Sequence, residues 1–445
     1  MTRLTGFVGV FVLGGVALTM AAQVPAGLAD SAQKDLPALT EVYKHLHENP
    51  ELSGHEVETA AYVAAALKKL GYMVTTHVGK YPDGAGAEGV VAVLENGAGP
   101  RVMLRTELDA LPVEEKTGVD YASHVKTTNA QGQVIPVMHA CGHDLHMTVF
   151  LGTARLMAED KSKWHGTLVL VGQPSEEIIA GAKAMLADGF YKRFPKPDFI
   201  LDEHDDNAYP TGSIGMAPGP MLSGATSMYV TFHGIGSHGS APQLGKDPIV
   251  MGAEFVMLAQ TLVSRQNSAQ SPAVVTVGTF HAGTKNNIIP DDAVLGLTLR
   301  SYDSEVMARL VEGVKRTANA VAMGYGVAAD KMPTITIPEQ TPPTVSDAAL
   351  EERMRQVAVE ALGADHVVRA NAVMGSEDVG NFSLDGKIPF LIYRLGASDP
   401  AKLAEAEKTG KPLPSLHSAL FAPVYGPAIR TGVTSMTAMA VSLLQ

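Results

Sequence analysis

The chain has 445 residues, 46% of them apolar and 18% charged, the composition of a globular protein of roughly two to three domains. A formal net charge of −12 excludes the basic surface that a nucleic-acid or anionic-membrane partner demands, and one tryptophan offers no platform for stacking bases. With a single cysteine, Cys141, no intramolecular disulfide can form.

At the N-terminus, Arg3, a glycine-rich apolar run over 6–20 and the small residues Gly27 and Ala29 read as an export signal. Residues 1–29 are expected to be cleaved before Asp30, leaving a periplasmic or secreted product. The run is shorter than the ~20 apolar residues of a spanning helix. A free thiol in an oxidising compartment is exposed to oxidation unless something, such as a metal, holds it.

Apolar residues at helical spacing (Val57, Ala60, Val63, Ala64, Leu67) predict a helix over 55–70 that stops at Gly71. Residues 90–94 and 101–105 are short apolar runs bounded by Gly and Pro, hence buried strands. A helix follows over 145–157, a strand over 167–171, a helix from 181 to 188 and a strand over 198–201. Alternation of this kind predicts an α/β sheet covered on both faces. Asp109, the pair Glu176-Glu177, and His204 each follow one of these strands, which is where sites form in open α/β sheets.

From about residue 222 the order becomes βαββαβ: strand 225–234, helix 247–266, strands 273–283 and 293–302, helix 304–325 and strand 332–337. That is the ferredoxin-like arrangement, set between Pro- and Gly-rich linkers at 217–220 and 338–343. The fold class is therefore α/β with two domains. A mixed-sheet domain of residues 30–221 and 339–445 is interrupted by an inserted domain of residues 222–338.

Residues two apart on an extended segment project to one side, so Cys141 and His143 can reach one metal. The alternative is a small buried apolar cysteine beside a hydrogen-bonded histidine. Asp144 reads as the cap of the helix that begins at Leu145. Adjacent side chains on an extended stretch diverge, so one of Glu176 and Glu177 can ligate while the other acts as general base. Two solvated glutamates at a helix N-terminus are the bland alternative. His204 and His417 suit Zn, Mn, Co or Ni as neutral imidazoles, although each alone is more often an ordinary histidine. There is no H-E-x-x-H, G-x-S-x-G or phosphate-binding P-loop.

Several ordered motifs together carry a resemblance. They are Leu46-His-Glu-Asn-Pro-Glu-Leu-Ser53, Arg105-Thr-Glu-Leu-Asp-Ala-Leu-Pro112, Met138-His-Ala-Cys-Gly-His-Asp144, Gly172-Gln-Pro-Ser-Glu-Glu177, Gly236-Ser-His-Gly-Ser-Ala-Pro242, Asn287-Ile-Ile-Pro290, Met374-Gly-Ser-Glu-Asp378 and Leu416-His-Ser418. Over nearly the whole mature chain they resemble the metal-dependent amidohydrolase and aminoacylase peptidases, which include hippurate hydrolases and plant indole-acetyl-amino-acid hydrolases. More distant likenesses are carboxypeptidase G and succinyl-diaminopimelate desuccinylase.

The resemblance implies two divalent metal ions (Zn, Mn, Co or Ni), with Cys141, His143, Glu177, His204 and His417 as ligands and the thiolate shared. It makes Glu176 the general base, and it places Asp109 behind a ligand histidine, which it orients. By the same resemblance, residues 30–221 and 339–445 are the catalytic domain and residues 222–338 the lid and dimerisation domain, which would form a homodimer and carry His238 into the partner's site to polarise the scissile carbonyl. Asn287 and Arg300 would hold the free carboxylate of an N-acyl amino acid or short peptide. The chain departs from the usual pattern at Glu107, at Asn286 and at Asp205-Asp206. The last is either a solvated acidic loop or a substrate selector. A cysteine hydrolase with Cys141 as nucleophile, and a catalytically dead binding dimer, are the readings from other classes.

Overall fold

The structure is a computed structural model describing residues 24–129 and 132–445. Residues 1–23 of the expected export signal lie outside the described residues. Among those described, no helix is long and apolar enough to cross a membrane.

Two sheets dominate. In chain order the strands are β1 (Met73–Lys80), β2 (Gly86–Asn96), β3 (Arg101–Glu107), β4 (Gly166–Gln173), β5 (Phe199–Pro210), β6 (Ile214–Met216), β7 (Gly224–His233), β8 (Ala273–Ala282), β9 (Asp292–Ser301), β10 (Thr334–Thr341), β11 (Val367–Arg369) and β12 (Phe390–Ser398). The large sheet runs β1-β2-β4-β3-β5-β12-β6-β11. Its centre, β4-β3-β5-β12, is parallel, and β1 and β2 attach antiparallel at one edge.

The strand residues explain why both faces are covered. Val102 and Leu104 of β3 point into one apolar layer and Met103 into the other, and Val90, Ala92 and Leu94 of β2 alternate with Val91 and Val93 in the same way. Helices Leu28–Glu48, Val57–Lys69, His143–Glu159 and Tyr425–Leu443 fill the first layer. The short helix Gly181–Ala187, with Phe190 and Phe382, fills the second.

The second sheet has the order β8-β9-β7-β10 and is antiparallel throughout. Helices Pro248–Ser264 and Ser304–Gly324 close over one of its faces around Phe232, Phe255 and Leu310. Asp247 and Asp303 cap these helices, each accepting from two backbone N–H groups. The expected linker over 338–343 is partly strand, because β10 continues to Thr341. There Thr341 pairs with Ala225, and the chain turns only at Pro342-Pro343.

Candidate metal centre and active site

Four segments meet at the carboxyl ends of the central strands, and their local geometry differs from the expected extended chain. Cys141 lies in a turn and Gly142 has φ +82°, so His143 is already the first residue of the helix that runs to Glu159. Asp144 is therefore not the cap of a helix starting at Leu145. Its Oδ2 lies 2.6 Å from His47 Nδ1, tying this helix to Leu28–Glu48. Glu176 and Glu177 sit on a turn between Ser175 (φ +54°) and Ile179 (φ +55°), not on an extended stretch. His204 lies inside β5, which continues to Pro210, and not beyond its end.

These turns bring all five expected donor residues together around one sulfur. His204 Nε2 lies 3.6 Å and His417 Nε2 3.3 Å from Cys141 Sγ. His417 Nε2 is also 3.6 Å from Glu177 Oε2, and His143 Nε2 is 3.8 Å from Glu176 Oε2 and 3.9 Å from Glu177 Oε1. The donor atoms of Cys141, His143 and His204 lie within 4.8 Å of one another, and so do those of Cys141, Glu177 and His417. The sulfur belongs to both groups.

The imidazoles are aimed by what their other nitrogens do. His143 Nδ1 donates to the Asp109 backbone carbonyl at 2.7 Å, and His204 Nδ1 donates to the Asp205 carbonyl at 2.8 Å. Each bond fixes the proton on Nδ1 and leaves the Nε2 lone pair facing the sulfur. Asp109 thus orients His143 through its backbone, since its carboxylate is 3.7 Å from that nitrogen. The carboxylate has another task. It accepts from the backbone N–H groups of Glu176 (3.1 Å) and Glu177 (3.0 Å) and from the Ser53 hydroxyl (2.6 Å), fixing the turn that carries both glutamates.

Burial and the crowding of like charges set the electrostatics of these donors. Burial, then the Glu177 and Glu176 charges, push the Cys141 thiol well above its ordinary range. Burial, Glu377 and Glu177 raise the Glu176 carboxyl well above the usual carboxylate range, and Glu177 is pushed up to about 7, by burial first and then Asp109. His204 and His417 are held neutral by burial and by neighbouring imidazoles. His143 Nε2 and Glu177 Oε1 are buried with no hydrogen-bond partner, which native proteins avoid unless something binds there. One thiol, three imidazoles and two carboxylates around such atoms suit a borderline divalent ion.

Beyond the donors lies a cleft of about 580 Å³, lined by Glu176, Arg300, Ser376 and Arg394 among others. Arg300 reaches it from β9 and donates from Nη1 to Ser376 Oγ at 2.6 Å. His238 and Asn287 do not line this cleft. They lie on the lid, where the exposed His238 pairs with Ile288 in a two-residue ladder and bonds Ser240 through Nδ1.

Sequence reading missed the layer beneath the donors. His146 is held between Glu107 Oε2 (2.9 Å) and Asp205 Oδ1 (3.0 Å), its ring 4.6 Å from that of His204. Glu107 also pairs with Arg105, whose Nη2 reaches Glu377 at 2.7 Å. Neither acid of Asp205-Asp206 belongs to a solvated loop: both are in β5, Asp205 fully buried and Asp206 on the cleft wall. The available signal was His146 itself, one helical turn after His143.

Buried donors without partners, a carboxylate beside them and a guanidinium across one cleft define a hydrolase site of the metal-using kind. The profile of peptidase family M20/M25/M40 matches residues 103–410, and the chain belongs to this family, hydrolases of amide and peptide bonds. It is 34% identical to a hippurate hydrolase of Campylobacter jejuni over 354 residues, covering 78% of this chain and 86% of that protein. It is 32% identical to thermostable carboxypeptidase 2 of Saccharolobus solfataricus over 366 residues, covering 82% and 87%. Among solved structures, the Bacillus subtilis YXEP protein, described as a dinuclear metal binding peptidase from the M20 family, superposes with a TM-score of 0.71. Its identity is 26%, covering 93% of this chain and 99% of that one.

Proposed function

We propose that this protein hydrolyses the amide bond of N-acyl amino acids of the hippurate type, releasing a free amino acid and a carboxylic acid. Its cofactors are two divalent metal ions, which Cys141, His143, Glu177, His204 and His417 would hold. The observation that carries this reading is the convergence of those five residues on one sulfur, with Glu176 beside them.

When bound, such ions would supply Lewis acidity, lowering the pKa of water and polarising a carbonyl. The chain supplies the rest. Glu176, 5% exposed and fixed through its backbone by Asp109, accepts the proton of the attacking water and returns it to the departing amine nitrogen. Arg300, steadied by Ser376, presents a guanidinium fork to the substrate carboxylate, and Asn287, which does not line its own cleft, assists from the lid of the partner subunit. His238, which does not line its own cleft, polarises the scissile carbonyl in the partner of a lid-mediated homodimer. The export signal delivers the enzyme to the periplasm or beyond, and sequencing the N-terminus of exported protein tests this.

A second reading, cleavage of short peptides, is favoured by the likeness to a protein named as a carboxypeptidase. Assays of N-benzoyl-, N-acetyl- and other N-acyl amino acids beside dipeptides, scored by free amino acid released, separate the two. Release from acyl conjugates, lost with chelator and restored by Mn²⁺, Zn²⁺ or Co²⁺, is the expected result. Cleavage of peptides alone selects the second reading. Chelator-insensitive turnover removes the metal and leaves Cys141 as a nucleophile.

A further inference from the structure

One cation in the cleft has no part in the reaction above. Arg394 lies in β12 beside His204 of β5 in the parallel ladder, so its side chain leaves the sheet on the face that carries His204. It is 2% exposed, and it lines the same cleft as Cys141 and Arg300. Its Nε and Nη2 have no hydrogen-bond acceptor, although both are buried. Among the described residues its one ion-pair partner is Asp206, whose Oδ2 is 3.8 Å from Nε, beyond hydrogen-bonding distance. The neighbouring acids are bound elsewhere: Asp205 Oδ1 meets His146, and Glu203 Oε2 accepts from the Tyr393 hydroxyl.

A buried guanidinium with spare donors is unfavourable unless an anion completes it, and its fork matches a carboxylate. Sequence gives this residue no company, since the rest of β12 from Phe390 to Leu395 is apolar or aromatic.

We infer that Arg394 is a second anion-binding subsite, and that the preferred substrate is an amide bearing two carboxylates, one met by Arg300 and the other by Arg394. Asp206 is the counter-charge that the second carboxylate displaces. This deepens the proposed amidohydrolase reading and rests on it. The second carboxylate belongs either to the amino-acid side chain or to the acyl group, and both sources offer the same chemistry.

The test compares kcat/KM of the metal-loaded enzyme on the dianion N-benzoylglutamate against the monoanion N-benzoylglutamine, neutral only at the second position, and on N-glutarylglycine against N-butyrylglycine, likewise uncharged at the acyl end. The wild type is expected to favour one dianion over its monoanionic counterpart by about 30-fold, the worth of a charged buried hydrogen bond. Arg394→Met should erase most of that ratio through KM, with the monoanions falling far less. Asp206→Asn should widen the ratio, and it keeps the test decisive if Arg394→Met fails to fold. Equal rates on the dianionic and monoanionic members of both pairs would overturn the inference, as would an equal loss on all four substrates in Arg394→Met, or an unchanged ratio in Asp206→Asn. No cleavage of any of the four would instead sink the amidohydrolase reading itself.

Discussion

Cys141 carries the most chemistry of any single residue, because its sulfur lies between His204 and His417 while His143 is held two residues away. Glu176 touches the same group, and the proposed mechanism gives it a separate task as proton carrier, so the two roles are separable by mutation. Glu176→Gln is expected to keep the wild-type metal content by elemental analysis while kcat falls by at least ~10²-fold, the usual worth of a positioned proton-transfer group. Turnover near wild type would remove Glu176 from the mechanism.

His47 offers a test of stability at the same scale. Burial alone would depress this imidazole, but the Asp144 hydrogen bond and charge, with Glu115 behind, push it up to about 10, while Asp144 is held below its ordinary value. A folded pKa above the unfolded value of 6.5 means that the contribution of His47 is complete below about pH 6.5. It is lost as pH rises through about 10. Asp144 acts oppositely, its share being lost only as pH falls below the carboxylate range. His47→Gln, which leaves a buried carboxylate unpaired, should destabilise the protein by roughly 3–5 kcal/mol near neutrality. The deficit against wild type should shrink between pH 7 and 10, measured by denaturant unfolding. A pH-independent deficit would contradict the ion pair.

Among the elements, the strand ends were legible and the turns were not. The apolar runs that became β3, β4 and β5 are bounded by Gly, Pro and polar residues, so the positions of Asp109, Glu176 and Glu177 just past β3 and β4 could be read directly. The left-handed residue at Gly142 could not, because a Cys-Gly-His sequence is equally compatible with extended chain until Asp205 packs against it. Asp144 looked like a cap because its partner, His47, lies 97 residues away. Arg394 acquires meaning only from His204 across the ladder, which no local pattern predicts, whereas His146 had a local signal, one turn after His143, but not its partners Glu107 and Asp205.

Gly142 makes this testable. A Cβ there would lie inside the Asp205 carboxylate, in a backbone region L-residues rarely adopt. Gly142→Ala is expected to reduce bound metal to less than half while leaving the circular dichroism spectrum intact. Full metal content in that variant would show that the turn is not what aligns Cys141 with His143.

At the scale of the whole molecule, the lid supplies Arg300 to its own cleft, whereas His238 and Asn287 do not line it. The lid helix Pro248–Ser264 also exposes Met257 (72%) and Leu258 (39%), apolar surface of the kind a partner covers. A dimer sharing sites across subunits predicts complementation. Glu176→Gln and His238→Ala homodimers should each be inactive. Exchanged into heterodimers, they should recover about a quarter of wild-type sites, because half the dimers are mixed and each mixed dimer has one intact site. No recovery after confirmed subunit exchange would show that His238 does not act across the dimer, and full activity of the His238→Ala homodimer would place it outside the reaction.

The donor cluster itself is tested most directly by anomalous diffraction from crystals of the metal-loaded protein at the absorption edge of the bound metal. Two peaks are predicted, both about 2.3 Å from Cys141 Sγ, the length of a zinc–thiolate bond. His143, Glu177, His204 and His417 should complete the two coordination shells. A single peak, or peaks remote from that sulfur, would contradict the two-ion site on which the proposed chemistry stands.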